Sequence, residues 1–291
     1  MVGVGAAARS CEIWGVLNVT PDSFSDGGEA LTLDDAMSKA QRLISEGADV
    51  IDVGGASSRP AGKTYGDGAH AVSIEEELRR VIPVIQGLVQ DFGARVSIDT
   101  TRPEVASAAL AAGATIVNDV SNGASQDLLE VVAKHGAELV LMHTRGDGSL
   151  YGNNVRYTRV VDEVTSELSS AVFRACAAGV SFPRIWVDPG IGFAKTAEQS
   201  MQLLASMPRL IKIGCRVLVG PSRKSFIAVT EEAVGVAPSS PTERIGGTAA
   251  AVTAAVLQGA SAVRVHDVQI MRQAVVFAKA LMVQQARAAR C

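Results

Sequence analysis

The chain has 291 residues, 47% hydrophobic and 20% charged, which is enough apolar material for a large core and excludes a disordered or collagen-like chain. Lys and Arg total 27 against 30 Asp and Glu, a formal charge of −3, and aromatics are 4%. Without a basic excess or a stacking platform, a nucleic-acid partner is not expected.

Residues 1–10 read as an N-terminal tail, too short for a signal segment, ahead of one domain over 11–291. The four cysteines, Cys11, Cys176, Cys215 and Cys291, form no C-x-x-C pair and are expected as reduced thiols of a cytoplasmic protein. Eight short apolar runs then recur at 13–18, 50–55, 95–100, 115–120, 139–143, 184–189, 216–220 and 262–266. Most are continuous rather than alternating, the pattern of parallel strands covered on both faces. Ala-rich helical runs separate them. Thr32 with Asp35, Ser73 with Glu76 and Thr101 with Glu104 have capping-box spacing. The first helix places Ala36, Ala40, Leu43 and Ile44 on one face, and the second Ile74, Leu78, Val81, Ile82 and Ile85. Gly47, Gly113, Gly136, Gly179 and Gly259 each precede a small apolar residue and a strand, as helix-terminating glycines do. The uncharged run 245–263 is too rich in Ala, Gly and Thr to span a membrane and reads as helix, Gly turn and strand. No membrane partner is expected. Eight such units predict an α/β fold, a single (β/α)8 TIM barrel with a closed parallel sheet and outer helices. An open doubly wound sheet would want G-x-G-x-x-G after the first strand, where NVTPDSF stands instead.

In a barrel of this kind, chemistry sits at the C-terminal strand ends. Those ends carry Asn18, Asp52, Asp99, Asn118, Asp119, His143, Asp188, Ser222 to Lys224, Arg264 and His266. One polar residue ending an apolar run can simply cap the next helix. A full ring of them predicts a ligand site, because burying so many polar groups is costly unless they bind something. Asp99, Asn118 and Asp188 suit a flat heterocycle presenting N–H and C=O groups. Lys224, Arg264, His266 and Arg59, with Asn18, suit a phosphate or pyrophosphate chelated to Mg²⁺. The combination points to a heterocycle with a phosphorylated leaving group. Two glycine-bearing loops, after the first and second strands, read as segments that close over the anion.

The ordered motifs GVLNVTPDSFSDGG, DVGG-x-SSRP, SIDT, NDVS, LMH, DPGIGF, VGPSRKSF and VRVHDV resemble the dihydropteroate synthase family, one motif per strand end over nearly the whole chain. The resemblance implies condensation of 6-hydroxymethyl-7,8-dihydropterin pyrophosphate with p-aminobenzoate, giving 7,8-dihydropteroate and pyrophosphate, in folate biosynthesis. It implies Mg²⁺ near Asn18, a homodimer, and sulfonamides as inhibitors to test. By similarity Asp99, Asn118, Met142, Asp188, Phe193, Gly220 and Lys224 bind the pterin. Asn18, Arg59, Arg264 and His266 hold the pyrophosphate, and Ser58, Pro60, Phe193 and Ser222 border the p-aminobenzoate. Asp99, Asp188 and Lys224 are the implied catalytic residues. Ala56 and Ser58 stand where the family commonly has Glu and Thr, and the second loop is longer than usual. The alternatives are a sulfonamide-insensitive member and a non-catalytic pterin-binding paralogue. A methyltetrahydrofolate methyltransferase would share the acidic set but have no use for the cations.

Overall fold

In the computed structural model, residues 11–20, 32–56, 72–146 and 156–289 are described. Eight parallel strands close in chain order. They are β1 (Glu12–Asn18), β2 (Val50–Gly54), β3 (Val96–Asp99), β4 (Ile116–Asp119), β5 (Glu138–Met142), β6 (Ile185–Asp188), β7 (Arg216–Val219) and β8 (Ala262–Val265). The seam closes where β8 pairs with β1, Val265 opposite Gly15. All eight predicted strands are present, and the closed barrel is the predicted one. Around it run α1 (Leu33–Glu46), α2 (Ile74–Phe92), α3 (Pro103–Ala111), α4 (Gln126–His135), α5 (Val160–Ala177), α6 (Ala197–Ala205), α7 (Met207–Ile211), α8 (Ser225–Ala233), α9 (Ile245–Leu257) and α10 (Val268–Ala288). The uncharged run resolves into α9, a glycine turn and β8. No helix among the described residues is long and apolar enough to cross a membrane.

Local chemistry sets the helix ends. Thr32 and Asp35 exchange hydrogen bonds as a full capping box, and Ser73 accepts from the Glu76 amide. The Thr101 expectation fails. α3 begins at Pro103, whose fixed φ and missing N–H suit the first helical position, so Arg102 becomes the N-cap without a side-chain hydrogen bond. All five terminating glycines have positive φ, between 61° and 109°.

Two apolar cores result from the two-residue alternation of strand side chains. Outward residues such as Ile51, Val53, Ile98 and Val117 pack with Ala36, Leu43, Val81 and Ile85 of the helices. Each fully buried aliphatic side chain contributes about 1.5–3 kcal/mol. Inward residues Trp14, Val50, Ile116, Val140, Trp186, Leu218 and Ala262 form a separate interior cluster. Two residues further along the even strands, the same inward columns carry Asp52, Asn118, Asp188 and Arg264. On β3 and β5 the inward columns end at Asp99 and Met142, and on β7 the column reaches Gly220 just beyond the strand. The barrel is therefore apolar in its middle and polar at its C-terminal mouth.

Candidate active site

Arg264 is the centre of the mouth. Its Nε donates to Asp52 Oδ2 at 2.5 Å and its Nη2 to Asp99 Oδ2 at 2.7 Å. Asn118 Nδ2 donates to the same Asp52 oxygen at 3.3 Å. Asp52 is fully buried, and its other oxygen, Oδ1, has no hydrogen-bond partner. Two of the three guanidinium nitrogens of Arg264 are thus committed to carboxylates. Arg264 neutralises the acid cluster as much as it offers itself to an anion.

Asp188 faces Lys224 across the mouth. Burial pushes the Asp188 carboxyl upward, opposed by Lys224 and by the Gly190 amide, which donates to Oδ1 at 2.7 Å. Burial also pushes Lys224 down to about 8, opposed by Asp188. The Lys224 ammonium donates to the Ile191 carbonyl and lies 4.4 Å from the centre of the Phe193 ring. Gly220 is a close-approach position. A β-carbon there would lie 3.8 Å from Arg264 Cβ and 4.0 Å from Asp188 Oδ2, so a side chain would grow into the space between them. Gly54 plays the same part beside Asn18 and Asp99, with a β-carbon 3.3 Å from Asn18 Oδ1. Asp99 is pushed up to about 7 by burial and by its acidic neighbours, with Arg264 opposing.

Ser222 and His266 meet at the ends of β7 and β8, Ser222 Oγ lying 3.0 Å from His266 Nδ1. Asn18, Asp99, Asn118, Met142, Asp188, Phe193, Gly220, Ser222, Lys224, Arg264 and His266 therefore share one rim, as the sequence predicts. Ser58, Arg59 and Pro60 lie outside the described residues, as do both glycine-bearing loops over 21–31 and 57–71.

Three rim residues turn elsewhere. Asp119 accepts from the Ser121 and Gly123 amides and from Ser121 Oγ, so it caps the turn before α4. His143 sits between Lys195 and Glu167. Arg223 pairs with Asp267 through Nε and Nη2. Asp119 and His143 follow inward residues by one position and so point outward. Sequence reasoning missed Lys195, which lies in an irregular loop with no periodicity to mark it; its place directly after DPGIGFA was the available signal.

For Mg²⁺ the fit is limited but sufficient. Among the described residues no group of three or more His, Cys, Asp or Glu could hold a metal ion. Mg²⁺ carried by a diphosphate keeps most of its waters and needs few protein oxygens. The amide oxygen of the half-buried Asn18, at the end of β1 beside Gly54, would be one such donor.

Residues 14–266 match the family model described as pterin binding enzyme. A curated dihydropteroate synthase from Synechocystis sp. is 46% identical over 92% of this chain and 89% of its own length. The structure of Xanthomonas albilineans dihydropteroate synthase with 4-aminobenzoic acid superposes with a TM-score of 0.83 at 43% identity, covering 93% of both chains. The Yersinia pestis dihydropteroate synthase in a sulfonamide drug complex gives a TM-score of 0.85 at 35% identity, covering 96% of both. Alike in sequence, fold and length to these proteins, the chain belongs to the dihydropteroate synthase family of pterin-binding enzymes.

Proposed function

We propose that the barrel mouth condenses 6-hydroxymethyl-7,8-dihydropterin pyrophosphate with p-aminobenzoate, releasing pyrophosphate and 7,8-dihydropteroate. The observation that carries this reading is the pairing of two residue sets on one rim. Acceptors Asp99, Asn118 and Asp188 face the donors Lys224 and Arg264 within a single half-buried cluster. In the reaction the methylene carbon–oxygen bond breaks with its electron pair on pyrophosphate. The aniline nitrogen bonds to that carbon and then loses a proton. Positive charge develops on the pterin methylene, and the Asp99 and Asp188 carboxylates stabilise it. Lys224, Arg264 and His266 stabilise the departing anion, and Asn18 would hold a Mg²⁺ that neutralises it further. The aniline is a weak nucleophile, so placement beside the electrophile matters more than a strong base. Phe193 and Ser222, with Ser58 and Pro60, complete the p-aminobenzoate side, and Arg59 joins the groups that hold the pyrophosphate.

Pyrophosphate release that depends on both substrates is the test. Asp188→Asn and Lys224→Ala should each lower kcat by about 10²–10³, as loss of one charged contact to the reacting centre does. Near-wild-type turnover in both would refute the assignment. Release without p-aminobenzoate would contradict condensation. Sulfonamides should compete with p-aminobenzoate, since they share its aniline end. A cytoplasmic homodimer completes the reading. Exposed Met201 on α6, and Val229, Val234 and Val236 on and after α8, supply an apolar face that a second copy would cover. Light scattering should give twice the chain mass.

A further inference from the structure

We infer that Lys195 is a positioning residue for the pterin pocket, an internal strut that holds the loop between β6 and α6 so that Asp188, Phe193 and Lys224 keep their places. The inference rests on the pterin reading of that pocket. Lys195 is 1% exposed, burial pushes its amine down to about 7, and a lysine nitrogen buried this deeply is costly unless it is well paired. Packing alone would be met more cheaply by Leu or Met.

Its partners show what the ammonium holds. Nζ donates to the Phe193 carbonyl at 2.9 Å and to the Gly190 carbonyl at 3.2 Å, both in the loop. Its N–H groups, three at most, also reach the His143 carbonyl at 3.2 Å and His143 Nδ1 at 3.0 Å, both at the end of β5, so that the four acceptors share them. One side chain thus ties the loop after β6 to the neighbouring strand.

The loop needs such a tie. Gly190, Gly192 and Ala194 have φ of 65°, 79° and 49°, the last at a side-chain-bearing residue that disfavours the left-handed region. Its own hydrogen bonds are few. Phe193 N donates to the Gly190 carbonyl at 3.0 Å and Gly192 N to Ser200 Oγ at 3.2 Å. The approach to β5 is also close, since a β-carbon at Gly190 would lie 1.9 Å from the His143 carbonyl oxygen.

Three contacts of this loop with the pocket lie beside the atoms that Lys195 holds. The Gly190 amide donates to Asp188, the Ile191 carbonyl accepts from Lys224, and the Phe193 ring lies under the Lys224 ammonium. On its far side the strut is anchored through His143. Burial and the nearby Lys195 charge push the imidazole down to about 4, so it is neutral at pH 7. With Nδ1 accepting from Lys195, the ring proton lies on Nε2 and donates to Glu167 Oε2 at 3.0 Å. Arg145 fixes Glu167 and also donates to Glu163 at 2.8 Å. β5, α5 and the β6–α6 loop are joined in one chain of bonds that ends at the pterin carboxylate Asp188.

Lys195→Met keeps the packing and removes the ties. The full-length variant should hold its far-ultraviolet spectrum while kcat/KM for the pterin pyrophosphate falls about tenfold or more, through kcat and the pterin KM together. Amide exchange should accelerate in the 189–195 segment and stay unchanged in the β-strands. Lys195→Gln, which keeps a buried N–H donor, should recover part of the pterin affinity, and it carries the same readings if the Met variant does not fold. Unchanged loop exchange, or a lower melting temperature with kcat/KM within about threefold of wild type, would overturn the inference. A wild-type protein that forms no dihydropteroate would instead overturn the functional reading, and the exchange measurement would still decide the strut.

Discussion

At the scale of single residues, the Asp52–Arg264–Asp99 cluster sets the charge the pterin meets. Burial raises Asp99 to about 7, and the Arg264 guanidinium is the main influence opposing it. A carboxyl raised in this way takes up a proton as pH falls through about 7 and then no longer accepts two N–H groups. Affinity for 7,8-dihydropteroate should therefore fall on the acid side of neutrality. Arg264→Met removes the opposing cation, so Asp99 should rise further and the decline should begin at a higher pH. Calorimetric titration of dihydropteroate between about pH 5.5 and 8.5 checks this, and a displacement to lower pH would exclude Asp99 as the acceptor. The residues of this cluster were legible in the sequence because each ends an apolar run. What the strand-end reading lacked was the two-residue alternation within each end. Asn118 and Asp119 are adjacent, as are Met142 and His143, and only the first of each pair faces the mouth. Asp52 was visible at a strand end, but its bond to Arg264 spans 212 positions of sequence and could not be read from spacing.

At the scale of elements, the strand and helix pattern was read almost completely, and the one failed cap is instructive. Thr101 and Glu104 have the right spacing, yet Pro103 moves the helix start by one residue. Thr100 and Arg102, on either side of Thr101, turn to Glu77, a residue of α2 that is 1% exposed. Thr100 Oγ1 donates to Glu77 Oε1 at 2.8 Å and Arg102 Nη1 to Oε2 at 2.9 Å. Arg102 Nη2 also donates to the Val72 carbonyl at 2.6 Å, just ahead of α2. Glu77 thereby locks α2 to the β3–α3 connection, beside the strand end that carries Asp99. Glu77→Ala takes the acceptor from the buried Thr100 hydroxyl and the carboxylate from the half-buried Arg102 guanidinium, and should cost about 1–3 kcal/mol of stability. Glu77→Gln, which can still accept from Thr100, should cost less. Urea denaturation gives the comparison, and equal losses in the two variants would show that the retained amide adds nothing, so that the carboxylate charge rather than the side-chain size or the Thr100 bond carries the contribution.

At the scale of the whole molecule, the two ends of the barrel do different work. The C-terminal mouth turns its polar groups toward a ligand and leaves Asp52 Oδ1 without a hydrogen-bond partner, while the N-terminal mouth pairs its own. There the four odd strands begin with alternating charge, Glu12, Arg95 ahead of β3, Glu138 and Arg216. These close over the two interior tryptophans, which meet edge to face with centroids 5.3 Å apart. Trp14 donates its indole N–H to Glu12 at 3.0 Å and Trp186 to Glu138 at 2.6 Å. Arg95 bridges the two carboxylates, and the Arg216 guanidinium lies 3.8 Å from the centre of the Trp186 ring. Burial alone would raise the Glu138 carboxyl, but the Trp186 N–H, Arg95 and Arg216 together hold it below its ordinary value of 4.5. A carboxyl depressed in the folded state stabilises the fold above that ordinary value. The contribution is lost as pH falls from 4.5 through the folded value, because the unfolded chain then binds the proton more readily. Glu138→Gln removes the charge and keeps the size. At pH 7 it should lower stability by about 1–3 kcal/mol, a fall of a few degrees in Tm, with kcat unchanged because the residue is at the opposite end from the chemistry. The gap in Tm between wild type and variant should narrow steadily as the pH is taken below 4.5. A gap that stays constant would mean that the carboxylate charge adds nothing to this end of the barrel. A fall in kcat without a fall in Tm would mean that the two ends are coupled.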